Sequence, residues 1–248
     1  MIQSMPTEAY QMGTPLAEYR PKPIRQISSL VGGAIMIILG IGIVFFDMLQ
    51  RRPSGFYVLG GILLALGMWA LWAGIRERGL QVLVFPDGLT YTARGATEVV
   101  RWEDITEVMQ QITKHYTNGV YTGTTHIYTV RRVGRPDLKF NDALKNVEQL
   151  GNTIQQETYT RLLPLAIATY NAGAILHFGK LSVSQQGLSN GKETIPWSDI
   201  KGIKLDKGVI AVSKQGKWLN WTTANVAQTP NIFVFTALVD SIIGLNKG

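Results

Sequence analysis

Cysteine is absent from the 248 residues, which excludes a disulfide scaffold, a thiolate zinc site and a cysteine nucleophile. Charge is scarce as well: 17% of residues are Asp, Glu, Lys or Arg, against roughly 25% in ordinary soluble domains. Histidine occurs only at His115, His126 and His177. No two stand four residues apart and no His-Glu-x-x-His is present, so neither a zinc site nor any other metal or cofactor is expected. A Walker-type phosphate loop is also missing, because Gly179-Lys180 is followed by Leu181 rather than Ser or Thr. Long disorder is excluded by a hydrophobic share of 46%, too high for a chain that cannot bury a core.

Apolar runs are what the chain has in excess. Gln26 to Phe46 and Pro53 to Ile75 carry no charge, and each meets the roughly 20 residues a helix needs to cross a bilayer core. The first run is apolar on every side, unlike a core helix of a globular domain, which keeps a polar face. A cleaved signal peptide does not fit, since a polar segment precedes the first run and a second follows at once. The connection Asp47 to Arg52 is short enough to make a tight antiparallel hairpin. Gly61 with Ala65, and Ala70 with Gly74, have the small-xxx-small spacing that lets helices approach, and Trp69 and Trp72 suit an interfacial belt. Arg20, Lys22 and Arg25 precede the hairpin and Arg76 and Arg78 follow it; Arg51 and Arg52 in the loop oppose them. The balance predicts an inner-membrane, multi-pass protein with both termini cytoplasmic.

Residues 79–248 carry 17 basic and 13 acidic side chains, a soluble composition. Short β patterns at Leu80–Phe85, Glu98–Trp102, His126–Val133, Leu181–Val183, Val209–Ser213 and Lys217–Thr222 alternate with turn signals such as Pro86-Asp87-Gly88 and Asp206-Lys207-Gly208. Val147, Leu150, Ile154, Thr158 and Leu162 recur at helical spacing, with Pro164 expected to kink or restart that helix and Gly173 to close it. A second helix is expected from Thr229-Pro230 to Gly244.

An internal repeat is visible. Val84-Phe85-Pro86-Asp87-Gly88-Leu89 matches Val183-Ser184-Gln185-Gln186-Gly187-Leu188, and Trp102-Glu103-Asp104-Ile105 matches Trp197-Ser198-Asp199-Ile200, with Val108 and Ile203 six residues after each tryptophan. The Asp side chain is expected to bond the amides of the next turn, and the Trp and Ile to be buried, in a strand–turn–strand corner. Gly88, Trp102, Asp104, Ile105, Gly187, Trp197, Asp199 and Ile200 therefore read as structural. The first unit is longer between tryptophan and helix, which suggests that the second lacks a strand and that the two share one sheet. A Gly-Leu turn, a Trp-x-Asp-Ile corner, meander strands and a closing helix resemble the pleckstrin-homology (PH)-like domains of bacterial membrane proteins. With Phe178-Gly179-Lys180-Leu181-Ser182-Val183 and Thr229-Pro230-Asn231 behind an N-terminal hairpin, the chain also resembles an uncharacterised family of bacterial two-span proteins. The resemblance implies a membrane-anchored α+β fold: a polar tail (1–25), a transmembrane hairpin (26–76) and two PH-like units (79–173 and 174–248), each closed by a helix. It implies no catalytic residues.

Chemistry is sparse. Gly187-Leu188-Ser189-Asn190-Gly191 has the G-x-S-x-G form of a hydrolase elbow, but the helix such an elbow requires does not follow, and Asn-Gly favours a hairpin turn. Asn220-Trp221-Thr222 has the form of a glycosylation sequon but reads as strand. The basic clusters Arg131, Arg132, Arg135 and Lys201, Lys204 suggest contact with anionic headgroups or a membrane-associated protein. Arg131 and Arg132, as neighbours on a strand, are expected on opposite faces. Nucleic acid is not expected, because the cations are dispersed and no reading helix is apparent. The function expected is that of a non-enzymatic binding or scaffold module on the inner leaflet, with an accessory subunit of a transport or envelope complex as the alternative.

Overall fold

The computed structural model describes residues 12–49, 55–76 and 79–244. The chain divides into two compact units. One runs as far as Val100 and regains Ala143–Lys145; the other holds Arg101–Asp142 and the chain from Asn146 onward. The architecture is α+β, with two apolar helices near the N-terminus followed by β-sheets and a closing helix. Arg51, Arg52 and Arg78, part of the flanking-charge reading, lie outside the described residues, as does the C-terminal Gly248.

The first unit holds β1 (Ala17–Tyr19), α1 (Pro23–Leu49), α2 (Tyr57–Arg76), β2 (Gln81–Phe85), β3 (Gly88–Ala93) and β4 (Ala96–Arg101), with the strands in the order β1-β2-β3-β4. Residues 1–25 are therefore not merely a tail. Ala17 pairs with Val84 and Tyr19 with Val82, antiparallel, across the whole helical hairpin. The pairing is extended by Leu16 N–H, which donates to the Val84 carbonyl at 2.7 Å. Glu18 accepts from Arg20 and from Gln81 on the adjoining strand. The Arg20 guanidinium holds its carboxyl below the usual range, and Gln81 adds to the effect. Past β1, Lys22 N–H donates to the Ala143 carbonyl (2.9 Å) and Lys145 N–H to the Arg20 carbonyl (2.8 Å), which ties Ala143–Lys145 to this unit.

Helices α1 and α2 meet along glycines. Gly33 and Gly40 on α1 and Gly60, Gly67 and Gly74 on α2 recur every seven residues, two helical turns, so they share one face of each helix. A Cβ built on Gly67 would lie 2.8 Å from the Gly33 carbonyl oxygen and 2.7 Å from Ile37; one on Gly40 would lie 2.9 Å from the Gly60 oxygen. Only hydrogen at these positions allows so close an approach. The expected Gly61–Ala65 contact is not the one made, because Gly61 faces open space; of the second pair, Gly74 packs against Ser29 and Leu30. Ile27–Leu49 and Tyr57–Ile75 are long and apolar enough to cross a membrane, and their large side chains away from the seam, Ile38, Phe45, Met68 and Trp69 among them, are exposed.

The second unit contains β5 (Ile105–Thr117), β6 (Val120–Arg132), β7 (Arg135–Asn141), α3 (Val147–Asn171), β8 (Leu176–Phe178), β9 (Leu181–Ser184), β10 (Gly187–Ser189), β11 (Thr194–Ile195), β12 (Ile200–Asp206), β13 (Val209–Lys214), β14 (Asn220–Asn225) and α4 (Ile232–Ile243). Its strands form the sheets β5-β6-β7, β11-β10-β9-β8 and β12-β13-β14. Along the chain the succession of four strands, a one-turn 3₁₀ helix beginning at tryptophan, three strands and an α-helix thus occurs twice. Among the described residues no strand is missing from the second pass, contrary to expectation, and no single sheet includes strands of both. The extra length sits in β5 and β6, 13 residues each, against seven and six in β12 and β13. Both hairpins turn on two positive-φ residues, Asn118-Gly119 and Lys207-Gly208, as a two-residue turn matched to strand twist requires.

The helix α3 runs unbroken through Pro164 instead of restarting there. It buries Val147, Leu150, Ile154 and Thr158, the face its spacing predicts. Gly151 on that helix lies under the Tyr128 ring, where a Cβ would come within 2.1 Å of Cζ. Helix α4 begins at Ile232, two residues later than the Thr229-Pro230 signal suggests, and ends on Gly244 with φ +67. Phe178 and Phe235 meet edge to face, centroids 5.3 Å apart, in a core shared with Leu181, Leu188, Ile210 and Leu238.

Candidate functional site

The two tryptophan corners have the same local geometry. Trp102 and Trp197 each open a 3₁₀ turn, and the N–H of Ile105 and of Ile200 returns to the tryptophan carbonyl. Trp102, Ile105 and Ile200 are buried; Trp197 is half-buried and donates its indole N–H to the Ser184 carbonyl at 2.9 Å. The aspartates act differently from expectation. Their main-chain carbonyls accept the amides of Val133 (Asp104, 3.2 Å) and Gln215 (Asp199, 2.7 Å), each just past a hairpin strand, and the Asp199 carboxylate meets Lys214 at 3.3 Å. Gly88 and Gly187 occupy equivalent hairpin positions, pairing with Phe85 and Ser184. Gly187 has φ +151, and a Cβ there would strike the Ile195 carbonyl oxygen at 1.9 Å.

The basic residues do not form one surface. Arg131 is exposed but sits between two carboxylates, ion-paired with Glu107 and 3.6 Å from Asp137. Arg132, on the opposite face of β6, is buried and donates to the Pro136 carbonyl at 2.6 Å. Arg135, Lys201 and Lys204 are exposed. The unscreened cationic field is therefore smaller than the sequence suggests.

Sheet edges give the more specific geometry. Asn231, the residue before α4, has φ +52 and spends none of its side chain on capping that helix. Its N–H donates to the Val108 carbonyl (2.8 Å), its Oδ1 accepts from Val108 N–H (2.8 Å) and its Nδ2 donates to the Thr106 carbonyl (2.8 Å). One residue thereby covers the outer edge of β5. In the other three-stranded sheet, β12 is the corresponding edge. It has the same bulge after its first residue and the same register, Ile203 opposite Val212 as Val108 is opposite Val130. Here the edge borders a groove of about 670 Å³ between α3, α4 and β12, lined by Gln155 and Tyr159, by Ile203 and Leu205, and by Phe233, Thr236, Ala237 and Asp240. Val108 is buried, whereas Ile203 is half-buried and Leu205 exposed. The sequence flags Thr229-Pro230-Asn231 only as a helix start. The partnership of Asn231 with Val108 spans 123 residues and has no local signal.

The remaining polar groups serve the fold. His126 N–H donates to Asp142 (2.6 Å), and its ring stands 3.5 Å from Asp142 and 3.8 Å from Glu148. His115 bonds Thr125 and His177 bonds Ser182. Among the described residues no group of three His, Asp or Glu is placed to hold a metal ion. Ser189 lies in a hairpin and donates to the Glu193 carbonyl (3.2 Å), with β11 rather than a helix after it. Asn220 lies on β14, where it accepts from Ser213. The Tyr128 hydroxyl is buried with no hydrogen-bond partner among the described residues. Burial pushes it up from the ordinary phenol range, and the carboxylates of Glu148 and Asp142 push the same way.

These features define an α+β protein in which an apolar helical hairpin interrupts a β-sheet and a further run of sheets and helices follows. From residue 1 to 246 the chain matches the family described as "Family of unknown function (DUF6585)", and it belongs to that family. No curated protein matches it.

Proposed function

We propose that the protein is a non-enzymatic, membrane-anchored binding module. In this reading the α1–α2 hairpin crosses the inner membrane twice, both termini are cytoplasmic, and a duplicated PH-like β structure meets a partner at the inner leaflet. The observation that carries the reading is the point of insertion. The hairpin leaves the sheet after β1 and re-enters it before β2, two strands that pair directly. Only a few residues separate helix ends from strands, and extended chain covers at most about 3.5 Å per residue. The sheet would thus be held within roughly 15 Å of the helix ends. The PH-like assignment is supported by the twice-repeated order of four strands, three strands and a helix.

A protein partner is favoured over headgroups alone. With Arg132 buried and Arg131 held between Glu107 and Asp137, the arginine cluster on β6 presents less charge to a leaflet than its sequence suggests, and each cation near the surface would add only about 1 kcal/mol. The test is membrane fractionation with a reporter fused after Gly248. Retention in the membrane after alkaline extraction, with cytoplasmic reporter activity, is the expected result; release into the soluble fraction or periplasmic activity overturns it. A second reading, an accessory subunit of a membrane complex, draws on Gly32, Gly42 and Gly61, which face open space outside the hairpin seam and suit a further helix. Partner recovery that is lost on exchanging the spans for unrelated ones, with the β units intact, would favour it.

A further inference from the structure

We infer that the edge of β12 is a peptide-binding site that takes an extended segment of a partner protein as an added antiparallel or parallel strand. The inference rests on the binding-module reading and locates its site. In the first three-stranded sheet the outward main-chain groups of β5, the Thr106 carbonyl and both polar groups of Val108, are used by a piece of polypeptide, the amide-bearing Asn231. Because β12 repeats the register and the bulge of β5, the groups that face outward from it are the Lys201 carbonyl and the N–H and C=O of Ile203, followed by those of Leu205. Among the described residues β12 pairs only with β13. An unpaired edge beside a groove is the setting for strand addition, in which main-chain bonds give affinity and pockets for alternate side chains give specificity.

The groove states what the segment should look like. Tyr159, Ile203, Leu205, Phe233 and Ala237 give the apolar part of the lining, with Phe233 and Leu205 about half exposed, and Asn152, Gln155, Gln156, Thr236 and Asp240 give a polar part. The volume of about 670 Å³ is that of a ligand cleft rather than a packing defect. Lys201 at one end of the strand and Lys207 in its turn are exposed and bracket Ile203 and Leu205. The occupant is therefore an extended peptide with an apolar side chain turned into the groove and an acidic residue toward either lysine. The covered edge has Val108 where the open one has Ile203, and Asn231 already fills it, so of these two edges the second is, among the described residues, the one left for an outside chain.

The probe is a displayed library of heptapeptides, selected on the full-length protein in nanodiscs. Enriched peptides are then synthesised with a fluorophore and titrated by polarisation. Enrichment of sequences pairing an apolar with an acidic residue is expected. Leu205→Pro removes an outward N–H from an edge strand, where proline is tolerated, and should weaken binding about tenfold, the loss of one main-chain bond. Phe233→Ser, at an exposed position, should weaken it several-fold without changing the unfolding midpoint. Lack of enrichment overturns the proposal, as does binding that both variants leave unchanged. Oleate binding that Phe233→Ser removes, with no peptide enriched, would instead make the groove an acyl-chain site. Self-association that Leu205→Pro removes, again without peptides, would make it an interface between copies. Peptide binding does not require the spans to be inserted, so failure here and failure of membrane anchoring are separate results.

Discussion

Two residues show how far a single hydrogen or hydroxyl decides local energetics. Gly67 has the Gly33 carbonyl and Ile37 where its own Cβ would be, so Gly67→Val should force the two helices apart at a cost of about 1–3 kcal/mol, the usual range for overpacking. Gly61→Val, on the open side, is the matched control and should cost far less. Thermal unfolding in mild detergent compares them. Tyr128 is the opposite case, a buried hydroxyl without a partner among the described residues. Tyr128→Phe should raise stability by about 1 kcal/mol, because it removes an uncompensated desolvation. The pH dependence has a definite sign. The folded state raises the phenol's pKa, so it holds the proton more tightly than the unfolded chain. That contribution is complete below the unfolded value of about 10 and is lost as pH rises through and beyond it. Denaturant titrations of wild type and Tyr128→Phe should therefore diverge further above about pH 10, with the variant the less sensitive.

Elements, more than residues, separate what was legible from what was not. The two long apolar helices could be read from the absence of charge alone, and the buried face of α3 from its spacing, because both signals are local. The hairpin positions of Gly88 and Gly187 and the 3₁₀ turns that open at Trp102 and Trp197 also rest on local turn chemistry. Strand β1 could not: Ala17-Glu18-Tyr19 alternates over only three residues, too short a run to signal a strand, and its partner β2 lies beyond the entire hairpin. The helical seam was also misplaced, since small-xxx-small spacing picks out pairs four apart, whereas the antiparallel contact uses glycines seven apart. The groove beside β12 depends on three elements meeting and leaves no trace in any one of them. Asn231 illustrates the same limit. Its three bonds to β5 predict that Asn231→Ala costs about 2–3 kcal/mol, with the added strain of a non-glycine, non-asparagine residue at φ +52. Urea unfolding reads that loss. The tip of the β5–β6 hairpin, residues 111–117 of β5 and 120–122 of β6, is exposed. Shortening it to the length of β12–β13, with Asn118-Gly119 retained as the turn, should leave the unfolding midpoint within a few degrees.

At the scale of the whole molecule, the pairing of β1 with β2 predicts that the hairpin is removable. Tyr19 lies opposite Val82, so the chain ends left by excising it are already neighbours. A version joining Lys22 to Gly79 through a short Gly/Ser linker should be soluble and retain its β-sheet circular dichroism. A chain begun at residue 79 lacks β1, bares the β2 edge carrying Val82 and Val84, and should be the less stable of the two in a thermal melt. The same arrangement bears on how the protein is made. Strand β1 leaves the ribosome before β2 and has no mate until both apolar helices have followed it. If the hairpin enters the bilayer, β1 and β2 can meet only when the second span has brought the chain back to the side on which it started. A nascent chain with one span left uninserted, or threaded the wrong way, strands the two halves of the sheet on opposite sides of the membrane. With the hairpin in the bilayer, sheet closure would act as a check on threading: a chain threaded the wrong way would keep β1 and β2 apart and leave an open, apolar strand edge.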